Sequence, residues 1–366
     1  MEVKYSYLKE QFQDHGAIFD KFDELIQSGD YTLGRAVEEF EQRFAELLGA
    51  TYAVGVNSGT DALFLSLKAV DVQPGDEVVT TPNTFIATVG AIVAAGAKPV
   101  FVDVLDDYTI NPNLIEDVIT SKTRALMPVH YAGHPADMPA IIKIAERYGL
   151  PVIEDSCQAI SASIDNRCVG TFGITGGFSL HPLKNLNVWG DGGIIVTDSE
   201  EIRDKLILLR NHGLKNRDEV QIFGYNSRLD SLQAIVGNHL IRDIQNITEK
   251  RIRWANKIDA GLNDLTDYIT IPERKKNRRY VYHLYMLMVE NRDELLSYLI
   301  ENGIEAKVHY PIPLHLQEAA KHLGYKEGDF PVAEAQCKSI ITLPVHQHLE
   351  EEQIKYMIKK IHEFYS

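Results

Sequence analysis

The sequence predicts an α/β protein with a mostly parallel central sheet, helices on both faces of that sheet, and a smaller C-terminal α/β domain. Short apolar runs alternate with amphipathic helical patterns from residue 52 to residue 154, and this alternation is typical of repeated βαβ units. After residue 245 the pattern changes. We therefore expect one domain over residues 1–245 and a second over residues 246–366.

The composition limits the classes of protein that this chain can belong to. Of its 366 residues 45% are hydrophobic, which is enough for a substantial core. The formal net charge of −15 argues against nucleic acid or an anionic membrane as the main partner. The three scattered cysteines indicate reduced thiols in a cytoplasm, without a disulfide framework or a metal site. No apolar run approaches the roughly 18 residues of a membrane span.

The individual elements follow from local periodicity, beginning with helices over residues 17–28 and 35–48. The next strands are predicted at Tyr52–Val56, Glu77–Thr80, Pro99–Val102, Ala125–Val129, Val152–Glu154 and Ile194–Val196. The helices between and after them are predicted at Thr60–Ala69, Phe85–Ala95, Leu114–Ile119, Ile141–Arg147, Glu200–Arg210 and Leu232–Ile241. In the C-terminal part, helices are expected over residues 247–262 and Arg292–Glu301, and strands at Tyr280–Val289 and Ala306–Tyr310.

Lys184 lies in a loop between two apolar runs, among small residues and turn formers. We expect its amine to be held close to the fold, where burial disfavours the ammonium, lowers the pKa and makes the amine a nucleophile. Such an amine suits a Schiff base with a carbonyl, most obviously the aldehyde of pyridoxal 5'-phosphate (PLP). The plainer alternative is a loop lysine that closes a glycine-rich turn.

Polar residues follow the predicted strands at their carboxyl ends, where parallel sheets bind ligands. Gly59 and Thr60 open a helix whose free N–H groups favour a phosphate, although an ordinary helix cap explains the same residues. Asp155 can pair with a protonated pyridine nitrogen or cap the next helix. Phe85 can cover a flat ring or pack in the core, and Gln158 can bond the cofactor or lie at the surface.

Two loops are further candidates for a binding site. The long polar loop over residues 211–231 contains Asn226 and Arg228, which can reach an anion or can be solvated surface residues. The loop HYPIPLHLQ contains two prolines, which make it stiff and favour a role as the wall of a binding site. Its histidines, His309 and His315, do not have the spacing of a helical metal pair, so we expect no metal.

Eight motifs, in order along nearly the whole chain, resemble the DegT/StrS-type nucleotide-sugar aminotransferases, which are fold-type I PLP enzymes with an aspartate-aminotransferase-like fold. The motifs are GDYTLG, FEQRFAELLGATYAVGVNSGTDAL, TPNTFIAT, PVIEDSCQA, FSLHPLKNLNVWGDGG, GYNSRLDSLQA, HYPIPLHLQ and FPVAEAQCKSIITLPV. Two departures are Ser156-Cys157, in place of the usual small pair, and Trp189, which bears on the shape of the sugar pocket.

The resemblance implies roles for individual residues. Lys184 would form the Schiff base with PLP, Asp155 would hold the pyridine nitrogen, and Phe85 would stack on the ring. The remaining cofactor contacts that it implies are Gly59, Thr60 and Ser179 at the phosphate, Gln158 near the ring hydroxyl, and Asn226 at the phosphate of the neighbouring subunit. The active unit would then be a homodimer with shared active sites. The residues assigned to the substrate are His181, His309, Tyr310 and His315.

The implied reaction is a ping-pong transamination. L-Glutamate would donate its amino group, and a keto-sugar linked to dTDP, UDP or GDP would receive it, in the synthesis of deoxyamino sugars for polysaccharides such as the lipopolysaccharide O-antigen. The motifs HYPIPLH and GYNSRLDSLQA favour amination at C3 of the sugar over C4. The alternatives are a PLP-binding regulatory protein and a sugar dehydratase; dehydratase relatives carry histidine at the position of Lys184.

Overall fold

The computed structural model describes residues 1–366. Its α-helices are α1 Leu8–Gln11, α2 Gly16–Ser28, α3 Arg35–Leu48, α4 Gly59–Ala69, α5 Ile86–Ala94, α6 Met138–Tyr148, α7 Glu200–Arg210, α8 Ser231–Leu240, α9 Ile244–Leu262, α10 Arg292–Glu301, α11 Pro331–Ser339 and α12 Glu351–Tyr365. Its strands are β1 Tyr52–Val56, β2 Glu77–Thr80, β3 Lys98–Phe101, β4 Thr123–Leu126, β5 Ile153–Asp155, β6 Ser163–Ile164, β7 Arg167–Cys168, β8 Thr175–Ser179, β9 Gly193–Thr197, β10 Ile269–Thr270, β11 Arg278–Arg279, β12 Tyr285–Val289 and β13 Ile340–Leu343.

The central sheet has the predicted, mostly parallel character. In one part β2 lies between β3 and β4, and all three are parallel. In the other part the order is β1-β9-β8-β5, with β9 antiparallel to both of its neighbours. Single parallel bridges from Leu126 to Val152 and from Val129 to Asp155 join the two parts. The carboxyl ends of β1, β2, β5 and β8 therefore meet at one edge, as expected for parallel strands.

The predicted helix Leu114–Ile119 is wrong. Two short 3₁₀-helices, Pro112–Leu114 and Glu116–Val118, occupy the segment instead. The Asn111 side chain accepts a hydrogen bond from the Asn113 N–H and fixes a tight turn at its start. So short a segment forms too few bonds to offset the cost of starting an α-helix.

Two of the predicted C-terminal strands are corrected as well. The strand expected at Tyr280–Val289 begins only at Tyr285, because Tyr282 has a φ of 46° and breaks the extended backbone. Of the strand expected at Ala306–Tyr310 only Lys307 pairs, in a single bridge with Thr342. The prolines that follow cannot donate to a ladder, and the segment instead turns toward the edge of the central sheet.

A separate apolar cluster surrounds the antiparallel sheet β10-β12-β13 and contains Trp254, Tyr285 and Leu287. Val3 belongs to the same cluster and pairs with Ile304, so the first residues of the chain pack on its C-terminal part. The division between residues 245 and 246 stays a prediction, and α9 runs through that point. None of the helices has the length and apolar character needed to span a bilayer.

Candidate active site

Lys184 occupies the loop between β8 and β9, at the sheet edge where the parallel strands end. Its backbone is fixed, since its N–H bonds the His181 carbonyl and its own carbonyl accepts from the Tyr7 hydroxyl at 3.1 Å. The Nζ atom has one hydrogen-bond partner, Nε2 of His283, at 3.5 Å. Burial lowers the pKa of Lys184, while the nearby Cys157 and Asp155 act in the opposite direction. The amine is therefore biased toward its neutral, nucleophilic form, as the sequence predicts.

Asp155 ends strand β5 and is 4% exposed. The Thr88 hydroxyl donates to its Oδ2 at 2.6 Å, and the Cys157 N–H donates to its Oδ1 at 3.1 Å. Both donors are neutral, so the protein supplies this buried carboxylate with hydrogen bonds but with no cation. A buried carboxylate is costly without an opposite charge, and a protonated pyridine nitrogen can provide one.

The N-terminus of α4 lies against the end of β8. The Ser58 side chain caps this helix by accepting from the Asp61 N–H, which leaves the first N–H groups of Gly59 and Thr60 free for a ligand. A β-carbon built on Gly59 would lie 2.6 Å from Cβ of Ser179 and 3.1 Å from Sγ of Cys157. Glycine is thus required for the helix end to approach Ser179, and the free N–H groups of Gly59 and Thr60 together with the Ser179 side chain are called the cradle below.

One wall of the site is aromatic. The Phe85 ring, 47% exposed, lies 5.9 Å from that of Tyr310, and the Tyr131 ring lies 6.3 Å from Tyr310 on another side. The Tyr131 hydroxyl donates to the His309 carbonyl at 2.6 Å, and the Leu314 N–H bonds the Pro82 carbonyl. The first contact holds the loop HYPIPLH to Tyr131, which follows β4, and the second holds it to the turn after β2. The loop thus forms a wall of the site.

Two other predicted residues also lie near the lysine. Gln158 is buried beside Lys184 and His283, and its Oε1 accepts from the Ala132 N–H at 2.7 Å. Its NH₂ group therefore has freedom to donate to a ligand. His181 is an exposed residue at the start of the loop that contains Lys184. Partial burial of its ring, together with the charge of Lys184, lowers its pKa.

His315 and Asn226 are not part of this group. His315 is buried, and its Nε2 pairs with Oε1 of Glu334 at 3.0 Å while its ring packs on Phe330. Asn226 is exposed in the polar loop, beside a cavity of about 200 Å³ that it shares with Asn57 and Arg228. Trp189 lies among Phe12, Phe19 and Phe22 of the N-terminal helical region.

His283 is the residue at the lysine that the sequence analysis missed. It falls inside the run predicted as the strand Tyr280–Val289, where a single polar residue is interpreted as lying on the solvent-facing side of the strand. Because Tyr282 breaks that strand, His283 instead reaches Lys184 from the C-terminal part of the chain. The one available signal was a histidine placed within an otherwise aromatic and apolar run.

The residues fit PLP. The amine of Lys184, the cation-free carboxylate of Asp155 and the cradle at Gly59 and Ser179 match the aldehyde, the pyridine nitrogen and the phosphate of that cofactor. The Phe85 ring can cover its flat face. The fold and the site together define a PLP-dependent enzyme of fold type I.

Comparison with known proteins gives the family. The sequence matches the DegT/DnrJ/EryC1/StrS aminotransferase family over residues 13–362. The pleiotropic regulatory protein of Geobacillus stearothermophilus is 42% identical, over 100% of this chain and 99% of its own length. The dTDP-3-amino-3,4,6-trideoxy-α-D-glucose transaminase of Streptomyces venezuelae is 40% identical, over 93% of this chain and 90% of its own. The crystal structure of S. venezuelae DesV in complex with ketimine intermediate has a TM-score of 0.96 and 38% identity, and covers 99% of this chain and 98% of that chain.

This chain belongs to the DegT/DnrJ/EryC1/StrS aminotransferase family. The predicted family, the fold class, the enzyme class and the PLP cofactor are confirmed. The roles of the individual site residues stay predictions.

The glycine at the phosphate cradle gives a prediction about cofactor binding. Gly59→Ala places a methyl group 2.6 Å from Cβ of Ser179, and such overpacking costs about 1–3 kcal/mol. We expect a lower free energy of unfolding, measured in urea, and a PLP affinity reduced about ten-fold or more, measured by fluorescence titration. Gly16→Ala is the matched control, because Gly16 also begins a helix but has no heavy atom within 4 Å of the added carbon. Equal PLP affinity in the two variants would contradict the binding of the PLP phosphate at this cradle.

Proposed function

We propose that this chain transfers an amino group from L-glutamate to a keto-sugar linked to a nucleoside diphosphate. The observation that supports this most directly is the presence, at one sheet edge, of a lysine amine and a buried carboxylate that form no salt bridge within the protein. The chain also shares 40% identity with a transaminase named for a dTDP-linked amino sugar. The first feature supports PLP chemistry, and the second supports the class of acceptor.

Each site residue has a role that its surroundings support. PLP, when bound, supplies an aldehyde for the amino group and a ring that withdraws electrons from the carbon bearing it. Asp155 keeps the pyridine nitrogen protonated, and Thr88 holds the carboxylate toward it. Lys184, as a neutral amine, would take the proton from the substrate carbon through Nζ and return it to the carbon on the far side of the transferred nitrogen. Phe85 and Tyr310 exclude water on the exposed side.

The acceptor end of the site is assigned to the loop HYPIPLH and to His181. His309 lies near Lys184 and Tyr310 lies beside Phe85, and the exposed His181 marks the place where an extended nucleotide would leave the pocket. His315 is omitted from this set, because it is buried against Glu334. Amination at C3 is favoured by the name of the 40%-identical transaminase, which specifies a 3-amino sugar.

Three alternatives receive less support. A regulatory role is suggested by the name of the 42%-identical protein, but a regulator has no need of an amine whose pKa is lowered by burial. A dehydratase is disfavoured by the lysine at position 184, since dehydratase relatives carry histidine there. A cysteine desulfurase would need a mobile thiol, but Cys337 is buried in α11, where burial raises its pKa to about 12.

Release of 2-oxoglutarate from L-glutamate tests the first half of this reaction. We expect the wild type to release it and to form an amino sugar from a dTDP- or UDP-linked 3-keto-sugar, both measured by mass spectrometry. Lys184→Ala should lose both reactions and the visible absorption of bound PLP, because no amine remains for the Schiff base. Lys355→Ala, an exposed lysine on α12, is the control and should keep full activity. A Lys184→Ala variant with half the wild-type rate would refute the assignment.

The role of Asp155 gives a second prediction. Asp155→Ala removes the only anion available to the pyridine nitrogen, and we expect a rate loss of roughly 100-fold or more, equivalent to about 2.7 kcal/mol. Asp155→Glu keeps the charge and should lose less. The measurement is kcat for the glutamate half-reaction at saturating PLP. An Asp155→Ala enzyme with normal rate and normal PLP affinity would show that the carboxylate serves only the local backbone.

The active unit is proposed to be a homodimer with shared sites. The loop over residues 211–231 exposes 98% of Phe223, 56% of Val220 and 38% of Tyr225. A single loop rarely presents so much apolar surface to water, so a second copy of the chain is the occupant that we propose for it. Asn226 lies in the same loop with an exposed side chain, in position to reach a phosphate across such an interface.

Mixing two inactive variants tests whether the two subunits share their active sites. Lys184→Ala lacks the amine, and Asn226→Asp repels the phosphate by its added carboxylate. If Asn226 acts in the partner's site, a mixed dimer has one site with both residues intact. An equal mixture should then recover about one quarter of the wild-type activity, because half of the dimers are mixed and each has one native site.

Native mass spectrometry of isotope-labelled subunits supplies the control for subunit exchange. Complete exchange without recovered activity would place Asn226 and Lys184 in the same site and contradict the sharing.

A further inference from the structure

His283 lines two small cavities. Its Nε2 lies 3.5 Å from Nζ of Lys184, in the cavity that Gln158 also lines. Its Nδ1 is buried and has no hydrogen-bond partner in the protein. The second cavity is also lined by Tyr5, Tyr7 and Arg251. A buried imidazole nitrogen without a partner is rare and requires an explanation.

Arg251 is the charged group of the second cavity. It is 1% exposed, and its hydrogen bonds go to the carbonyls of Tyr282 and Val345 and to Oε1 of Gln347. None of these partners carries a charge. Its Nη2 is buried without a partner in the protein, like Nδ1 of His283. His283 and Arg251 both line this cavity, and each has one buried polar atom without a partner in the protein.

The size of this cavity matches one water molecule. It offers about 10 Å³ to the centre of a water-sized sphere, which is close to the minimum that a single water needs. A guanidinium only donates hydrogen bonds, so a water held by Arg251 has its own hydrogens available for Nδ1. Nδ1 then accepts, and the ring proton resides on Nε2, the nitrogen that faces Lys184.

From this arrangement we propose that His283 is a positioning residue that holds the Lys184 amine in its neutral form. Its Nε2–H donates to the lone pair of Nζ, and only a neutral amine has that lone pair. An ammonium has three donors and no acceptor, so it would meet the Nε2–H as a repulsive neighbour. This role rests on the proposed function of Lys184, and it makes the amine ready both to attack a carbonyl and to accept a proton.

The charges around His283 keep its ring neutral, as the proposal requires. Burial lowers the pKa of His283 well below its ordinary value, and the positive charge of Arg251 acts in the same direction. The nearby His309 and His181 add to the effect. Burial raises the pKa of Tyr5 and of Tyr7, so both phenols stay protonated and add no charge near His283.

The experiment measures the reactivity of Lys184 without any turnover. Full-length protein is freed of PLP, and its amine is carbamoylated with cyanate, in a reaction in which only the neutral amine attacks the carbon of isocyanic acid. The modified peptide is quantified by mass spectrometry between pH 6 and pH 10. His283→Gln places an amide near Nζ, and its oxygen can accept from an ammonium. We expect the midpoint for Lys184 to rise by about one pH unit, so that labelling below both midpoints is about ten-fold slower.

His134→Gln is the matched control. His134 is also a buried histidine with a pKa well below its ordinary value and an unpartnered Nδ1, but its neighbour is Arg274. This variant should keep the wild-type midpoint. Should His283→Gln fail to fold, as judged by circular dichroism, His283→Asn serves, because water then replaces the ring N–H and stabilises the ammonium.

The outcomes separate this role from the proposed reaction. A raised midpoint in the His283 variant alone supports the proposal. A wild-type midpoint in a folded His283 variant, or an equal rise in His134→Gln, overturns it. Neither result depends on glutamate or on a sugar, so the proposed transamination can hold or fail independently of it.

Discussion

Desolvation of one amine and one carboxylate is the constraint on which the rest of this structure depends. Lys184 and Asp155 both lie at the same sheet edge, and neither forms a salt bridge within the protein. Burying such groups costs free energy, which a globular fold recovers elsewhere through its apolar core. Burial makes the two groups chemically useful, because a desolvated amine is a nucleophile near neutral pH and a desolvated carboxylate holds a protonated pyridine firmly.

A second carboxylate stabilises the strand that ends in Asp155. Glu154 is fully buried, and the backbone N–H groups of Gly170, Phe172 and Gly173 all donate to it. His130 pairs with the same side chain at 2.9 Å. Two neighbouring residues of β5 thus differ in their hydrogen bonding. The partners of Glu154 all belong to the protein, whereas Asp155 can also bind a cofactor. This difference locates the site more sharply than burial alone.

The site also depends on contacts between distant parts of the chain. Tyr131 bonds the His309 carbonyl, and Leu314 bonds Pro82, so the loop HYPIPLH is fixed to the end of β2. His283 comes from the same C-terminal part and reaches the lysine because of the break at Tyr282. The two parts therefore contribute different functions to one cavity. The sheet edge supplies the groups that fit PLP, and the C-terminal part supplies the wall and the partner of the amine.

The sequence by itself determined the alternation of strands and helices, the strand-end positions of Gly59 and Asp155, and the loop that holds Lys184. These features depend on local periodicity and on glycine, which act over a few residues. Only the tertiary structure decided that His315 is paired with Glu334 and that His283 faces the lysine. Histidines in loops and apolar runs look alike in sequence. Their roles come from partners far away in the chain, and local patterns contain no information about those partners.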